Sequence, residues 1–105
     1  MMMLLMAVGT IPFSSVADYA TVMIEESTKG PFPGYARRDV YYQFGDDGII
    51  EYIIVDVEKG HEDEALRLMR ELLFRLGTSV KGVRWRVEQV FSLDEALEMI
   101  SKAIP

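Results

Sequence analysis

Two arginines, Arg84 and Arg86, stand two places apart between the apolar residues Val83, Trp85 and Val87. At that spacing both guanidinium groups leave an extended strand on the same side. Such a pair can hold a carboxylate or a phosphate through forked hydrogen bonds. Arg37, Tyr41 and Tyr52 fall at positions that share that side of a sheet, and the five residues make up the ligand-binding set the sequence suggests. The same arginines serve equally as the charged rim of a subunit contact, paired with Asp39, Asp56 or Glu88, and the rim is the favoured role. The pattern defines no catalytic residue.

Other chemistry is bounded by what the chain lacks. With no cysteine there are no disulfides, no thiolate nucleophiles and no thiolate metal ligands. One histidine, His61, excludes a histidine dyad and any multi-histidine metal site, so no metal and no cofactor are expected. Glu62, Asp63 and Glu64 read as charges matched to a helix start. Asp46-Asp47-Gly48 reads as turn chemistry, because no calcium-loop spacing of oxygen ligands follows it. Gly30, Gly34, Gly45, Gly48 and Gly60 fall between elements and form no phosphate-cradling motif.

The net charge of −6 argues against nucleic acid and anionic membrane as partners, since a phosphate binder needs a basic face. Aromatic residues on a four-stranded sheet raise the question of RNA, but the stretch Ile49 to Val57 lacks the basic, glycine and paired-aromatic pattern of that module. The opening Met1 to Val8 has no basic residue before it and no cleavage pattern after it. It is far shorter than the ~20 apolar residues that cross a bilayer, so a buried strand and a cytoplasmic location are expected. Asparagine and cysteine are both absent, a habit of proteins from hot environments, while 7 methionines run against it.

The elements that must position these residues follow from periodicity. An apolar run from Met2 to Gly9 predicts a strand covered on both faces, ended by Thr10-Ile11-Pro12. Ser14 or Ser15 is expected to cap a helix with Val16, Tyr19, Ala20, Met23 and Ser27 on one face, stopping near Lys29-Gly30. Pro31-Phe32-Pro33-Gly34 is a stiff connection. Arg37 to Phe44 alternates as a strand, Gly45-Asp46-Asp47-Gly48 turns it, and Ile49 to Val57 follows, apolar at nearly every position. A helix from His61 to Leu76 carries Ala65, Leu66, Met69, Leu72, Leu73 and Leu76 at spacings of three and four, with Arg75 in its last turn and Gly77 closing it. Val83, Trp85 and Val87 alternate in a fourth strand. Ser92 and Glu95 form a capping box for a final helix bearing Leu93, Leu97, Ile100 and Ile104.

The order β-α-β-β-α-β with a terminal helix predicts one α+β domain over 1–105: a ferredoxin-like four-stranded antiparallel sheet with two helices on one face and an extra C-terminal helix. Strands one and three, apolar on both faces, belong in the middle, and the alternating strands two and four at the edges. Right-handed crossovers put both helices on one side. Taking Val40, Tyr42, Phe44, Val83, Trp85 and Val87 as helix-facing leaves an open face with a charged rim and an apolar centre, the anatomy of an interface. A homodimer through the open sheet face is therefore expected; the other way to cover that face is the terminal helix folded back over it.

The strand order, the two-faced central strands and the run Val57-Glu58-Lys59-Gly60-His61-Glu62-Asp63-Glu64-Ala65-Leu66 resemble small ferredoxin-like proteins of the dimeric α+β barrel type. The resemblance implies a sheet-to-sheet dimer, in some relatives built into rings. It also implies kinship with cofactor-free monooxygenases, isomerases, haem enzymes and amino-acid-sensing domains. No catalytic residue carries over. The expectation is a non-catalytic homo-oligomer that binds a small-molecule metabolite. The alternatives are an enzyme acting on a small hydrophobic molecule, and a regulatory sensor with its ligand at the subunit boundary near Arg84 and Arg86.

Overall fold

A computed structural model describes residues 3–28 and 33–104 of the chain. The elements in chain order are β1 (Met3–Pro12), α1 (Val16–Ser27), β2 (Ala36–Phe44), β3 (Gly48–Val57), α2 (Glu62–Ser79), β4 (Arg84–Val90) and α3 (Leu93–Ala103), with one 3-10 turn at Phe13–Ser15. The four strands form one antiparallel sheet in the order β2-β3-β1-β4. The strands apolar on both faces are thus central and the alternating ones lie at the edges. This α+β arrangement is compatible with a ferredoxin-like fold. The expected start of the first strand at Met2, the helix stop at Lys29-Gly30 and part of the Pro31–Gly34 connection lie outside the described residues.

One face of the sheet carries the core. Leu5, Ala7 and Ile11 of β1, Ile53, Val55 and Val57 of β3 and Val83 beside β4 meet Tyr19 of α1 and Ala65, Met69, Leu73 and Leu76 of α2. Val40, Trp85 and Val87 pack against this cluster, on the helix-facing side expected for them. Each fully buried aliphatic side chain contributes about 1.5–3 kcal/mol relative to exposure. Phe44, also on the helix side by register, stays exposed.

Several boundaries differ from the sequence expectation, each because a tertiary contact outweighs a local signal. β1 continues through Pro12, since Thr10, Ile11 and Pro12 pair with Ile50, Ile49 and Gly48. A proline at the last position of a strand leaves the ladder intact before it. Ser15 makes no side-chain cap; its hydroxyl donates to the Lys81 carbonyl at 2.6 Å, tying the start of α1 to the α2–β4 connection. α2 runs past Gly77 to Ser79, because Leu76 and Val80 are both buried and the helical path keeps them so. Arg75 consequently does not lie in the last turn; it reaches α1, donating twice to Glu26 at 3.0 and 3.2 Å. Gly48 does not have positive φ. It begins β3, where a Cβ would come within 2.2 Å of the Ile11 carbonyl oxygen, so close approach is what requires glycine.

The terminal helix α3 begins as expected: the Ser92 hydroxyl accepts from the Glu95 N–H at 3.2 Å and the Glu95 carboxylate accepts from the Ser92 N–H at 3.3 Å. It does not fold over the open face. None of its residues is buried, and Leu93, Leu97, Ile100 and Ile104 are all more than half exposed. The chain is correspondingly long, with extents of 51 × 33 × 19 Å and a radius of gyration of 15.7 Å, against about 13 Å for a compact chain of this length. No helix among the described residues is long and apolar enough to cross a membrane.

Candidate functional site

The structure places all five residues of the sequence-derived set on the open face, but not as one cluster. Strand register arranges that face in transverse rows. Tyr41, Tyr52, Val8 and Arg86 make one row; Gln43, Ile50, Thr10 and Arg84 make the next toward the hairpin end. Tyr41 and Tyr52 are direct neighbours, and the Tyr52 hydroxyl donates to Gln43 Oε1 at 2.9 Å. Arg84 and Arg86 lie along the opposite edge, three strand spacings or about 14 Å away. Arg37 sits at the far corner of the face, across from Asp56.

The arginines on this face differ in their partners. Arg37 pairs with Asp39 at 3.8 Å and Arg86 with Glu88 at 3.1 Å, both along their own strands. Arg84 forms no ion pair among the described residues. The open face carries three arginines and three carboxylates (Arg37, Arg84, Arg86; Asp39, Asp56, Glu88), so it is neutral on a chain of net charge −6. Its centre is Leu4, Met6, Val8, Ile50 and Ile54, half-buried by one another.

A second constellation lies on the helix side, and the sequence reading passed over it. One transverse row there runs Tyr42, Glu51, Gly9, Trp85 across all four strands. Glu51 is 0% exposed. Its Oε2 accepts a hydrogen bond from the Tyr19 hydroxyl of α1, while its Oε1 has no partner among the described residues. Gly9 makes the row possible. A Cβ at position 9 would lie 2.5–2.6 Å from three atoms of the Trp85 ring, so the missing side chain is the space the indole occupies. Tyr19 closes the row from above, its ring centroid 6.4 Å from that of Trp85. The Trp85 N–H is likewise buried without a partner among the described residues.

The electrostatics of this row come from burial and from Glu51. Burial first, and then the neighbouring Glu51 carboxylate, push the Tyr42 phenol up to about 12. The same causes in the same order hold the Tyr19 phenol well above the ordinary tyrosine range. A carboxylate oxygen kept from water with a lone pair unused can accept a hydrogen bond from an amine, hydroxyl or amide, or take up a proton. The signal for it stood in the sequence: Glu51 is a lone charge in phase with the core residues Ile53 and Val55 of β3.

No family model matches the chain, and no curated protein matches it. Two grooves mark the surface. One, of about 340 Å3, runs between α2 and the edge strand β4, floored by Leu73, Val83, Trp85 and Val87 and bordered by Phe74 and Arg70. The other, of about 280 Å3, lies at the hairpin end between Pro12, the 45–48 turn and Gly82. Glu51 lines neither groove. At the start of α2, the Tyr35 and His61 rings pack 4.2 Å apart at a tilt of 40°, and backbone N–H groups, that of Glu62 itself first and then that of Gly60 at 2.9 Å, lower the Glu62 carboxyl below its usual value. These contacts fasten the β3–α2 connection. Among the described residues no three His, Asp or Glu side chains come together as metal ligands.

Proposed function

We propose that this chain is a subunit of a ferredoxin-like homo-oligomer, assembled by packing open sheet face on open sheet face, with a small-molecule metabolite as its ligand. The observation that carries the reading is the open face itself: an apolar centre of Leu4, Met6, Val8, Ile50 and Ile54 inside a charged rim that sums to zero. A copy approaching it meets no net charge on the face itself, which keeps the repulsion between two acidic molecules away from the contact. Four strands spaced about 4.8 Å apart and running about 30 Å present roughly 550–600 Å2 per copy. Two such faces lie at the lower edge of the ~1,200–2,000 Å2 of stable interfaces. Arg84, without an ion pair in the single chain, is left to pair with a carboxylate of the partner's rim.

The oligomeric state tests this. Light scattering is expected to give the mass of two chains or a multiple of it. Ile54→Lys, which puts a charge on a surface already wet in the single chain, is expected to give lone, folded subunits. A wild-type chain that stays a single subunit at every attainable concentration refutes the proposal. A second reading, an enzyme acting on a small hydrophobic molecule, draws on the unused Glu51 oxygen. It needs a lined cavity meeting a polar group, and here the groove and the carboxylate lie in different places, so subunit assembly stands first.

A further inference from the structure

A second apolar surface left uncovered lies off the sheet. α3 is an eleven-residue amphipathic helix whose stripe, Leu93, Leu97, Ile100 and Ile104, is 73%, 54%, 55% and 66% exposed. An isolated helix of this length is marginal in water, and most helices in proteins are held by packing of their apolar face. The capping box fixes where α3 starts but supplies only about 1 kcal/mol. The helix therefore has a docking surface outside its own present contacts.

The groove between α2 and β4 has the complementary character. Its floor is apolar, its border includes Phe74 at 72% exposure, and its one charge is Arg70, which forms no ion pair among the described residues. On α3, Asp94 and Glu98 flank the apolar stripe one turn apart, and Asp94 forms no ion pair among the described residues either. An unpaired cation beside an apolar groove thus matches an unpaired carboxylate beside an apolar stripe.

We infer that α3 is an exchanged arm: the α3 helix of one copy lies in the α2–β4 groove of a second copy, with Asp94 against Arg70, and the second copy returns the contact. This deepens the assembly reading above and rests on it. Area supports a reciprocal exchange. A helix of eleven residues presents a footprint of about 16 by 10 Å, so two arms in two grooves add roughly 600 Å2. Together with the sheet faces this brings the interface from the lower edge of the stable range to its middle.

Trp85, the only tryptophan of the chain, floors the groove and reports its occupancy. The test compares wild type, Leu97→Asp/Ile100→Asp and Ile54→Lys by sedimentation and by Trp85 emission. Both arm substitutions fall on positions already exposed in the single chain, so folding is retained. The arm variant is expected to raise the dimer dissociation constant at least tenfold and to shift Trp85 emission to the red. Monomeric Ile54→Lys, with α3 intact, is expected to show the same red-shifted emission. Arg70→Glu is expected to weaken the dimer, and Arg70→Glu/Asp94→Arg to restore it. If the arm variant dimerises as wild type does with Trp85 unchanged, the arm is refuted and the sheet-to-sheet reading stands. If the Ile54→Lys monomer keeps a blue emission that the arm substitutions abolish, α3 docks within its own chain and exchange is refuted. If wild type itself is a single subunit, the assembly reading has failed, and the arm with it.

Discussion

Replacing Tyr19 by Phe isolates the contribution of the buried Glu51 row. The ring stays, so core packing is unchanged, but the one hydroxyl that donates to a fully buried carboxylate is removed. A hydrogen bond to a charged group contributes about 1.5–3 kcal/mol, and a buried acceptor left without it cannot turn to water instead. The expected loss is about 2 kcal/mol, which for a chain of this size lowers Tm by about 10 °C. Glu51→Leu removes the charge together with its need for a donor. In the Glu51→Leu background Tyr19→Phe is therefore expected to cost little, giving a coupling of about 2 kcal/mol in the double-mutant cycle. Urea unfolding followed by Trp85 fluorescence, at one fixed protein concentration, measures all four species. The reasoning is refuted if Tyr19→Phe lies within about 0.5 kcal/mol of wild type, or if the two substitutions add within the same margin.

The same row sets an alkaline limit. Tyr42 is held up to about 12 and Tyr19 is also raised, against ~10 in the unfolded chain. A raised folded value means stability that is complete below pH ~10 and is lost as pH climbs through the folded values. Urea midpoints are expected to be level up to that point and to fall between about pH 10 and 12, with a shallower fall in Tyr42→Phe; identical curves for the two proteins would contradict the assignment. Gly9→Ala is expected to destabilise by about 1–3 kcal/mol through overpacking, since its Cβ would lie 2.5 Å from the Trp85 ring. Displacement of the indole should appear as a changed Trp85 emission, and an unaltered spectrum would show that the ring does not occupy that space.

The order of elements was legible in the sequence because it depends on period. Alternation in β2 and β4 against continuous apolarity in β1 and β3 separates edge from centre, and it places Arg37, Tyr41, Tyr52, Arg84 and Arg86 on one face. The capping box at Ser92 and Glu95 is equally local: three residues apart, its two groups meet in any helix that starts there. Distance across the face is another matter. Spacing along β4 says that Arg84 and Arg86 share a side, but only strand order shows that Arg37 lies at the opposite corner.

What tertiary structure alone decided are the contacts between residues far apart in the chain. Glu51 reads as one charge in an apolar strand until Tyr19, 32 residues away, is set above it by the packing of α1 on the sheet. Gly9 reads as an ordinary strand residue and Gly48 as a turn residue until a neighbouring strand brings an indole and a carbonyl to within van der Waals reach. Gly77 reads as a stop, yet burial of Leu76 and Val80 carries α2 past it. The amphipathic stripe of α3 announced a helix with a face to bury; which surface it meets is a property of shape. Periodicity reports which side of an element avoids water, and only the assembled chain shows what lies opposite that side.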